Sequence, residues 1–300
     1  MQIGIDLGAT KIEYVLLDNN NKEKIRNRIP TPNNYEETLL SIISIVKELG
    51  KKNNEKLNIG ICHPGATDKT TGLIKNAHNS QWLNNKNIVK DLKKTIDNNI
   101  YSENDANCFC LSEAYDGSAS HYEIVFGIIL GSGCGGGFVI NKKIISGSNG
   151  LGGEWSLNQM PEKSNPNLSS EKKLDFSNRI EGYLSGKSIE INYEIRFKEK
   201  LSAKEIFLNY RNKKKNACDF INDYKNKLAR SLVVIITTLD PDAIVFGGGL
   251  SNEIDFLEEL KSIISNLINE PNLKTVFLKP QYGDASGVRG AALLGRNNSI

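Results

Sequence analysis

The chain has 300 residues, of which 39% are hydrophobic and 24% charged, with a formal net charge of +3. These values are typical of an ordinary globular protein, and the length favours two lobes over a single hydrophobic core. The basic residues are scattered, and their densest run, 213–215, lies in a polar stretch, so the sequence predicts no nucleic-acid-binding surface.

Two further classes are disfavoured by the sequence. No apolar run approaches the length of a membrane span, and the N-terminal residues 1–5 are typical of a strand and not of a signal peptide. The five scattered cysteines fit reduced thiols better than a disulfide framework. We therefore expect a cytoplasmic protein with no membrane partner.

The first half of the chain shows an α/β pattern. In chain order we predict strands at 3–6 and 12–17, a third strand ending near Pro30, a helix at 35–49 that Gly50 stops, a strand at 57–62, an irregular segment at 68–87, a short strand at 99–101 and a helix at 106–115. The histidines His63 and His78 fall in loops, where we predict ordinary capped or exposed polar groups.

The second half repeats this pattern. We predict strands at 124–130, 138–140 and 144–145, an inserted loop at 161–178, helices at 188–195, 203–210 and 217–239, a strand at 243–246, a helix at 252–267, a strand at 275–278 and a helix at 286–294. Because each half opens on a strand, a glycine turn and a second strand, we interpret the chain as an internally duplicated α/β protein with a cleft between the halves.

Residues 103–107, Glu-Asn-Asp-Ala-Asn, lie between a predicted strand and a predicted helix. Asn104 or Asp105 could simply cap the helix by accepting hydrogen bonds from its free N–H groups. Alternatively, a carboxylate held at this junction could serve as a general base. Two glycine-rich turns elsewhere in the chain favour the second interpretation.

Both glycine-rich turns suit a phosphate. Residues 6–11 contain Gly8 and the small Ala9, so backbone N–H groups can approach an anion, while Thr10 and Lys11 offer further donors. Asp6 could hold Mg²⁺ directly or through water. The second turn, 131–137, has the sequence Gly-Ser-Gly-Cys-Gly-Gly-Gly. A plain hairpin would explain either turn alone, but the pair favours nucleotide binding.

Five motifs together resemble the ROK family of sugar kinases and repressors. They are 6–11, 103–107, 131–137, the glycine-rich 147–154 that ends at Glu154, and 247–249. Further segments at 30–32, 76–84, 112–117 and 283–290 give a narrower likeness to bacterial ROK fructokinases. The resemblance implies an actin-like ATPase (ribonuclease H-like) fold, with two duplicated lobes around a nucleotide and sugar cleft. It covers the chain from end to end apart from about 161–178.

The resemblance also implies roles for individual residues. Asp105 matches the catalytic base that takes a proton from the sugar hydroxyl. The positions matching sugar contacts are Gly65, Asn104, Glu154 and Glu181. The positions assigned to ATP and its phosphates are Asp6, Gly8, Thr10, Lys11, Gly131, Ser132, Gly133, Gly135, Gly247, Gly248 and Gly249, and Asp6 is the expected Mg²⁺ residue.

One part of the family pattern is missing. Members usually carry a histidine three residues after the glutamate and a cysteine cluster shortly downstream, which together bind a structural zinc ion. Here Leu157 occupies the histidine position, and 161–178 contains neither cysteine nor histidine. Leucine cannot ligate zinc, so we predict that no zinc site exists and that the sugar pocket is altered.

These observations predict an ATP- and Mg²⁺-dependent hexose kinase, with fructose phosphorylated at its 6-hydroxyl. Glucose, mannose or an N-acylhexosamine is the alternative substrate. A catalytically weak sugar-binding regulator is the alternative from another class, although the first strand starts too early for a DNA-binding domain to precede it. We predict an N-terminal lobe at 1–117, a C-terminal lobe at 118–285 and a final helix at about 286–300 that packs back on the first lobe. The resemblance further implies a homodimer.

Overall fold

The computed structural model describes residues 1–53, 56–161 and 178–297. Within them, the strands are β1 (Gln2–Leu7), β2 (Lys11–Leu17), β3 (Glu23–Pro30), β4 (Asn58–His63), β5 (Ala66–Thr67), β6 (Ile74–Lys75), β7 (Ile100–Asn104), β8 (Ile124–Leu130), β9 (Cys134–Ile140), β10 (Lys143–Ile144), β11 (Ala243–Gly247) and β12 (Val276–Leu278). The helices are α1 (Tyr35–Asn53), α2 (Ile88–Leu92), α3 (Asp105–Tyr115), α4 (Glu181–Leu184), α5 (Gly186–Phe197), α6 (Ala203–Arg211), α7 (Lys215–Leu239), α8 (Leu257–Ile268) and α9 (Ser286–Asn297). Almost all of the predicted inserted loop at 161–178 lies outside the described residues.

Ten of these strands form two five-stranded sheets of matching order, and β5 and β6 pair antiparallel in a separate two-stranded sheet. The first has the order β3–β2–β1–β4–β7 and the second β10–β9–β8–β11–β12. In the first sheet, β1 pairs antiparallel with β2 and parallel with β4, which pairs parallel with β7. In the second, β11 pairs parallel with both β8 and β12. The predicted internal duplication is therefore confirmed by the strand order.

The described chain divides into two compact units, which we call unit 1 (1–121, 137–152 and 281–300) and unit 2 (122–136 and 153–280). The predicted lobe bounds of 1–117 and 118–285 differ from these units at 118–121, 137–152 and 281–285. In unit 1, a Cβ at Gly137 would lie 2.5 Å from the carbonyl oxygen of Ala106. That close backbone approach to α3 is one reason the segment belongs with unit 1.

Within unit 1, α9 packs against β1, β4 and α3. The packing is close because glycine stands at the points of approach. A Cβ added at Gly60 would lie 1.7 Å from the carbonyl oxygen of Ala291, and one at Gly290 would lie 1.7 Å from that of Cys108. The core beside this sheet consists mostly of isoleucine and leucine side chains, including Ile3 and Ile5 of β1 and Ile42 of α1.

Three local predictions differ from the structure. Gly50 does not end α1, which runs on to Asn53, because a glycine lowers helix stability without blocking its hydrogen bonds. Residues Cys134–Ile140 form β9, so the predicted turn at 131–137 is confined to its first residues. The predicted helix at 252–267 is divided into a 3₁₀ helix at Gly249–Glu253 and α8. Among the described residues, no helix has the length and apolar character needed to span a bilayer.

Candidate active site

Asn104 and Asp105 lie where β7 ends and α3 begins. The Asn104 side chain accepts hydrogen bonds from the N–H groups of Ala106 at 2.9 Å and Asn107 at 3.2 Å, so it is the N-cap of α3. The Asp105 carboxylate accepts from the same Ala106 N–H at 2.9 Å. The cap prediction is thus confirmed for Asn104. It leaves Asp105 in the first turn, where the partial positive charge of the helix terminus favours an ionised carboxylate.

A tight turn of unit 1 is bound to this junction. The Asn104 amide nitrogen donates to the Gly65 carbonyl oxygen at 3.1 Å. Gly65 has φ of 82°, and a Cβ there would lie 2.5 Å from the Lys75 carbonyl oxygen. Only glycine fits this position without strain. Two residues predicted to contact sugar, Gly65 and Asn104, therefore lie together beside Asp105.

His63 supports the same turn. It is fully buried, contrary to the prediction of a capped or exposed polar group. Its Nδ1 lies 3.1 Å from the Pro64 carbonyl oxygen and its Nε2 lies 3.1 Å from the Thr67 hydroxyl. A carbonyl only accepts, so Nδ1 carries the proton and Nε2 accepts from Thr67. Burial lowers the pKa of His63 to about 4, and the ring is neutral at physiological pH.

Residues 6–11 span the end of β1, the turn at 8–10 and the first residue of β2. The Gly8 N–H donates to the Lys11 carbonyl oxygen at 3.0 Å, and the Thr31 hydroxyl donates to the Gly8 carbonyl oxygen at 2.8 Å. Thr10 and Lys11 are exposed at the tip. The turn is therefore anchored by Thr31, the residue after β3, while Thr10 and Lys11 remain accessible to an anion.

Asp6 is the residue of this turn that could hold a divalent cation. Burial is the main cause that raises its pKa, opposed by a hydrogen bond from Cys62. A bound cation would favour the ionised form. Among the described residues, no group of three His, Cys, Asp or Glu side chains could enclose a metal ion. A single carboxylate therefore fits a Mg²⁺ ion held mostly by nucleotide phosphates and water, not a closed protein site.

In unit 2, the turn 131–133 is fixed by its backbone and by Glu181. The Gly131 N–H donates to the Gly133 carbonyl oxygen at 2.9 Å, and the Gly186 N–H donates to the Gly131 carbonyl oxygen at 2.8 Å. The Cys134 N–H donates to Glu181 at 3.2 Å. A Cβ at Gly133 would lie 2.7 Å from the same Glu181 oxygen. The turn is thus shaped around the Glu181 carboxylate.

Glu154 and Glu181, both predicted to contact sugar, affect each other electrostatically. Burial, and secondarily the charge of Glu181, raises the pKa of Glu154. Directly after Glu154, the Trp155 indole donates to the Gly135 carbonyl oxygen at 2.8 Å and the Ser156 hydroxyl donates to that of Cys134 at 3.0 Å. Trp155 is buried, whereas Leu157 remains 37% exposed. Side-chain bonds to β9 therefore hold the segment that carries Glu154.

A cavity of about 560 Å³ opens in unit 2 beside this turn. Its lining includes three predicted phosphate residues, Gly131, Ser132 and Gly249, and seven others that sequence reasoning missed: Gly186, Lys187, Glu190, Ala203, Lys204, Leu250 and Glu253. Gly247 and Gly248 are not among the lining residues. Gly248 has φ of 84°, and a Cβ there would lie 2.3 Å from the Leu130 carbonyl oxygen. Glycine is required at Gly248 to bring the turn against β8.

Little in the local sequence marks the unpredicted cavity residues as functional. Lys187 and Lys204 are exposed lysines on α5 and α6, as on many solvated helix faces. Only their place in the cavity distinguishes them. His63 could have been suspected from its position between a buried strand and a Pro-Gly turn.

Known proteins resemble this chain along its whole length. The ROK family pattern matches residues 2–298. The N-acetyl-D-glucosamine kinase of Haemophilus influenzae is 37% identical over 309 residues, covering 98% of this chain and 99% of that protein. The enzyme of the same name from Mannheimia succiniciproducens is 38% identical over 303 residues, with 98% and 99% covered.

A solved structure shows the same fold. The crystal structure of a ROK hexokinase from Thermus thermophilus superposes with a TM-score of 0.84 at 22% identity, covering 97% of this chain and 96% of that one. The predicted α/β fold of the actin-like ATPase type is thereby confirmed. The narrower likeness to fructokinases is not confirmed, because the relatives named here are N-acetyl-D-glucosamine kinases. The chain therefore belongs to the ROK family, in its sugar-kinase class.

Proposed function

We propose that this protein transfers the γ-phosphoryl group of ATP to the 6-hydroxyl of N-acetyl-D-glucosamine. The observation that supports this substrate is the identity of 37–38% with two N-acetyl-D-glucosamine kinases over 98% of the chain. It favours the N-acylhexosamine alternative over fructose. The proposed homodimer and cytoplasmic location depend on the family resemblance.

Asp105 is the proposed general base. Its carboxylate takes the proton of the sugar hydroxyl as the hydroxyl oxygen forms a bond to the γ-phosphorus. The bond from that phosphorus to the bridging oxygen breaks, and its electron pair leaves on ADP. Such transfers depend mainly on positioning and charge stabilisation. The cap by Asn104 supports this role because it fixes the first turn of α3, which carries Asp105.

The donors of both glycine turns would bind the nucleotide phosphates. In unit 1 these are the exposed Thr10 and Lys11 with the backbone of Gly8. In unit 2 they are Gly131, Ser132, Gly133 and Gly135, with Gly247, Gly248 and Gly249 accommodating the nucleoside. Bound Mg²⁺ would neutralise phosphate charge, and Asp6 would hold it directly or through water.

The sugar would be recognised by the Gly65 carbonyl, Asn104, Glu154 and Glu181. The raised pKa of Glu154 supports its role, because a carboxyl group that burial pushes toward its neutral form is common in functional sites. Polar groups arranged around hydroxyls can discriminate strongly among sugars. Leu157 removes one hydrogen-bonding side chain from this set.

The test is ADP release with Mg²⁺-ATP over N-acetyl-D-glucosamine, N-acetylmannosamine, glucose, mannose and fructose. We expect the highest kcat/KM with N-acetyl-D-glucosamine. Asp105→Asn should lower kcat by roughly 10²- to 10⁴-fold with little change in sugar binding. A higher kcat/KM with fructose would refute the substrate, and full activity of the Asp105→Asn variant would refute the base. No turnover on any of the sugars by the folded wild type would favour the regulator.

A further inference from the structure

One wall of the unit 2 cavity is a single turn of 3₁₀ helix, Gly249–Glu253. Gly249, Leu250 and Glu253 all line the cavity, and Leu250 is buried. Any movement of this turn would change the shape of the cavity opposite Gly131 and Ser132. The position of the turn is therefore part of the proposed nucleotide site.

Local hydrogen bonds close the two ends of the turn. Ser251 donates to the Gly248 carbonyl oxygen from its N–H at 3.0 Å and from its hydroxyl at 2.7 Å. The Ile254 N–H donates to the Ser251 carbonyl oxygen at 3.2 Å. Short 3₁₀ segments have poor hydrogen-bond geometry and leave terminal carbonyls that need other partners.

Lys279 supplies those partners. Its ammonium group donates to the carbonyl oxygen of Ile254 at 2.7 Å and also to that of Ser251. Lys279 directly follows β12, and Leu278 of β12 is paired with Val245 of β11, the strand that leads into the glycine turn. The turn and Lys279 thus follow the ends of two adjacent parallel strands, β11 and β12.

Arg211, at the end of α6, holds the same turn through Glu253. Its guanidinium donates to the Glu253 carboxylate at 2.7 Å and to the Glu253 carbonyl oxygen at 3.5 Å. Glu253 is mostly buried, with 18% of its side chain exposed. A paired carboxylate at this place adopts one orientation at the cavity wall instead of several.

We propose that Lys279 and Arg211 are positioning residues for the nucleotide, acting through the backbone and Glu253 of the 3₁₀ turn. The inference rests on the proposed function in assigning this cavity to ATP. Neither residue is assigned contact with ATP. Without them the turn would populate other conformations, and the apparent affinity would fall in proportion to the competent fraction.

The experiment measures ADP binding by isothermal titration calorimetry with the full chain, without sugar. Lys279→Met keeps the aliphatic stem and removes the donors, while Lys279→Arg keeps a cation. The matched control is Lys274→Met, an exposed lysine that precedes β12 and has no ion pair or hydrogen bond among the described residues. Arg211→Gln tests the second contact.

We expect Lys279→Met to weaken ADP binding roughly five- to twentyfold and Arg211→Gln roughly threefold or more, with Lys274→Met unchanged. Lys279→Arg should recover most of the affinity. In steady-state assays of these variants, KM for ATP should rise while KM for the sugar stays constant. A general loss of stability would not affect one KM selectively. If Lys279→Met fails to fold, Arg211→Gln provides the same comparison against Lys274→Met.

The inference is overturned if the folded Lys279→Met and Arg211→Gln proteins bind ADP within twofold of the wild type. Equal losses of sugar and nucleotide affinity, or a wild type that binds no nucleotide, also overturn it. Failure of the proposed function looks different. The wild type would then bind ADP, with the expected losses in the variants, and would phosphorylate none of the sugars.

Discussion

His63 should make the stability of this protein depend on pH in a defined window. The ring is fully buried and neutral, with a pKa of about 4 in the folded chain against 6.5 for an ordinary histidine. Between these two pH values the unfolded chain binds a proton that the folded chain does not, so the free energy of unfolding falls as pH is lowered. The contribution is fully present above pH 6.5 and lost by about pH 4.

The magnitude follows from the two pKa values. Each pH unit between the two pKa values changes the free energy of unfolding by about 1.36 kcal/mol. The full difference between the pKa values therefore corresponds to about 3 kcal/mol, and the part above pH 5 to about 2 kcal/mol. His63→Gln removes the titrating ring and keeps a polar side chain of similar length, which extends toward the Thr67 hydroxyl. Asp6 and Glu154, whose pKa values are raised, contribute with the opposite sign. Their contribution is common to both proteins and cancels in the comparison.

The assay is urea unfolding followed by tryptophan fluorescence at pH 7, 6 and 5 and constant ionic strength. Between pH 7 and pH 5 the wild type should lose about 2 kcal/mol more than His63→Gln. The exposed His121 provides the control, since His121→Gln should retain the pH dependence of the wild type. Equal losses in the wild type and His63→Gln would refute the argument, because they would show that the buried ring does not titrate as its surroundings require.

Other predictions follow from burial, close approach and composition. The buried Glu113 accepts five hydrogen bonds, from both polar groups of Ser118, the N–H groups of Gln281 and Tyr282, and the Ser286 hydroxyl. Glu113→Gln replaces one accepting oxygen with an NH₂ donor that faces these donors. It should lower the free energy of unfolding, measured by thermal denaturation, by about 2–4 kcal/mol. Gly290→Ala should destabilise the protein by several kcal/mol, because its Cβ would meet the Cys108 backbone, whereas Gly50→Ala in α1, with open space around it, should stabilise by about 0.5–1 kcal/mol. Metal analysis of the purified protein should find no stoichiometric zinc, since Leu157 replaces a ligand.

Each of these predictions would be contradicted by a specific result. An unchanged melting temperature for Glu113→Gln would contradict the five hydrogen bonds to this carboxylate. Similar effects of alanine at Gly50 and Gly290 would contradict the close packing of α9 on α3. One zinc ion per chain would show that other residues replace the missing ligands.

Much of the fold could be predicted because its signals are local. The long apolar stripe of α7 and the largely buried strands β1 and β2 of the first sheet are visible in short windows of sequence. The repeated strand–glycine turn–strand pattern predicted the duplication that the matching sheet orders confirm. Where competing local signals were weak, as at Gly50 and after Gly133, predicted boundaries were wrong by several residues.

The sequence by itself determined the order of the longer elements, the family and the place of Asp105 at a strand–helix junction, because periodicity, cap residues and motif spacing are properties of neighbouring residues. Only the tertiary structure decided that His63 is buried, that Glu113 binds segments about 170 residues away, and that Lys279 holds the turn after Gly249. The physical reason is that burial and pairing depend on which distant backbone groups are brought within hydrogen-bonding distance. No local pattern of residue types encodes those distances.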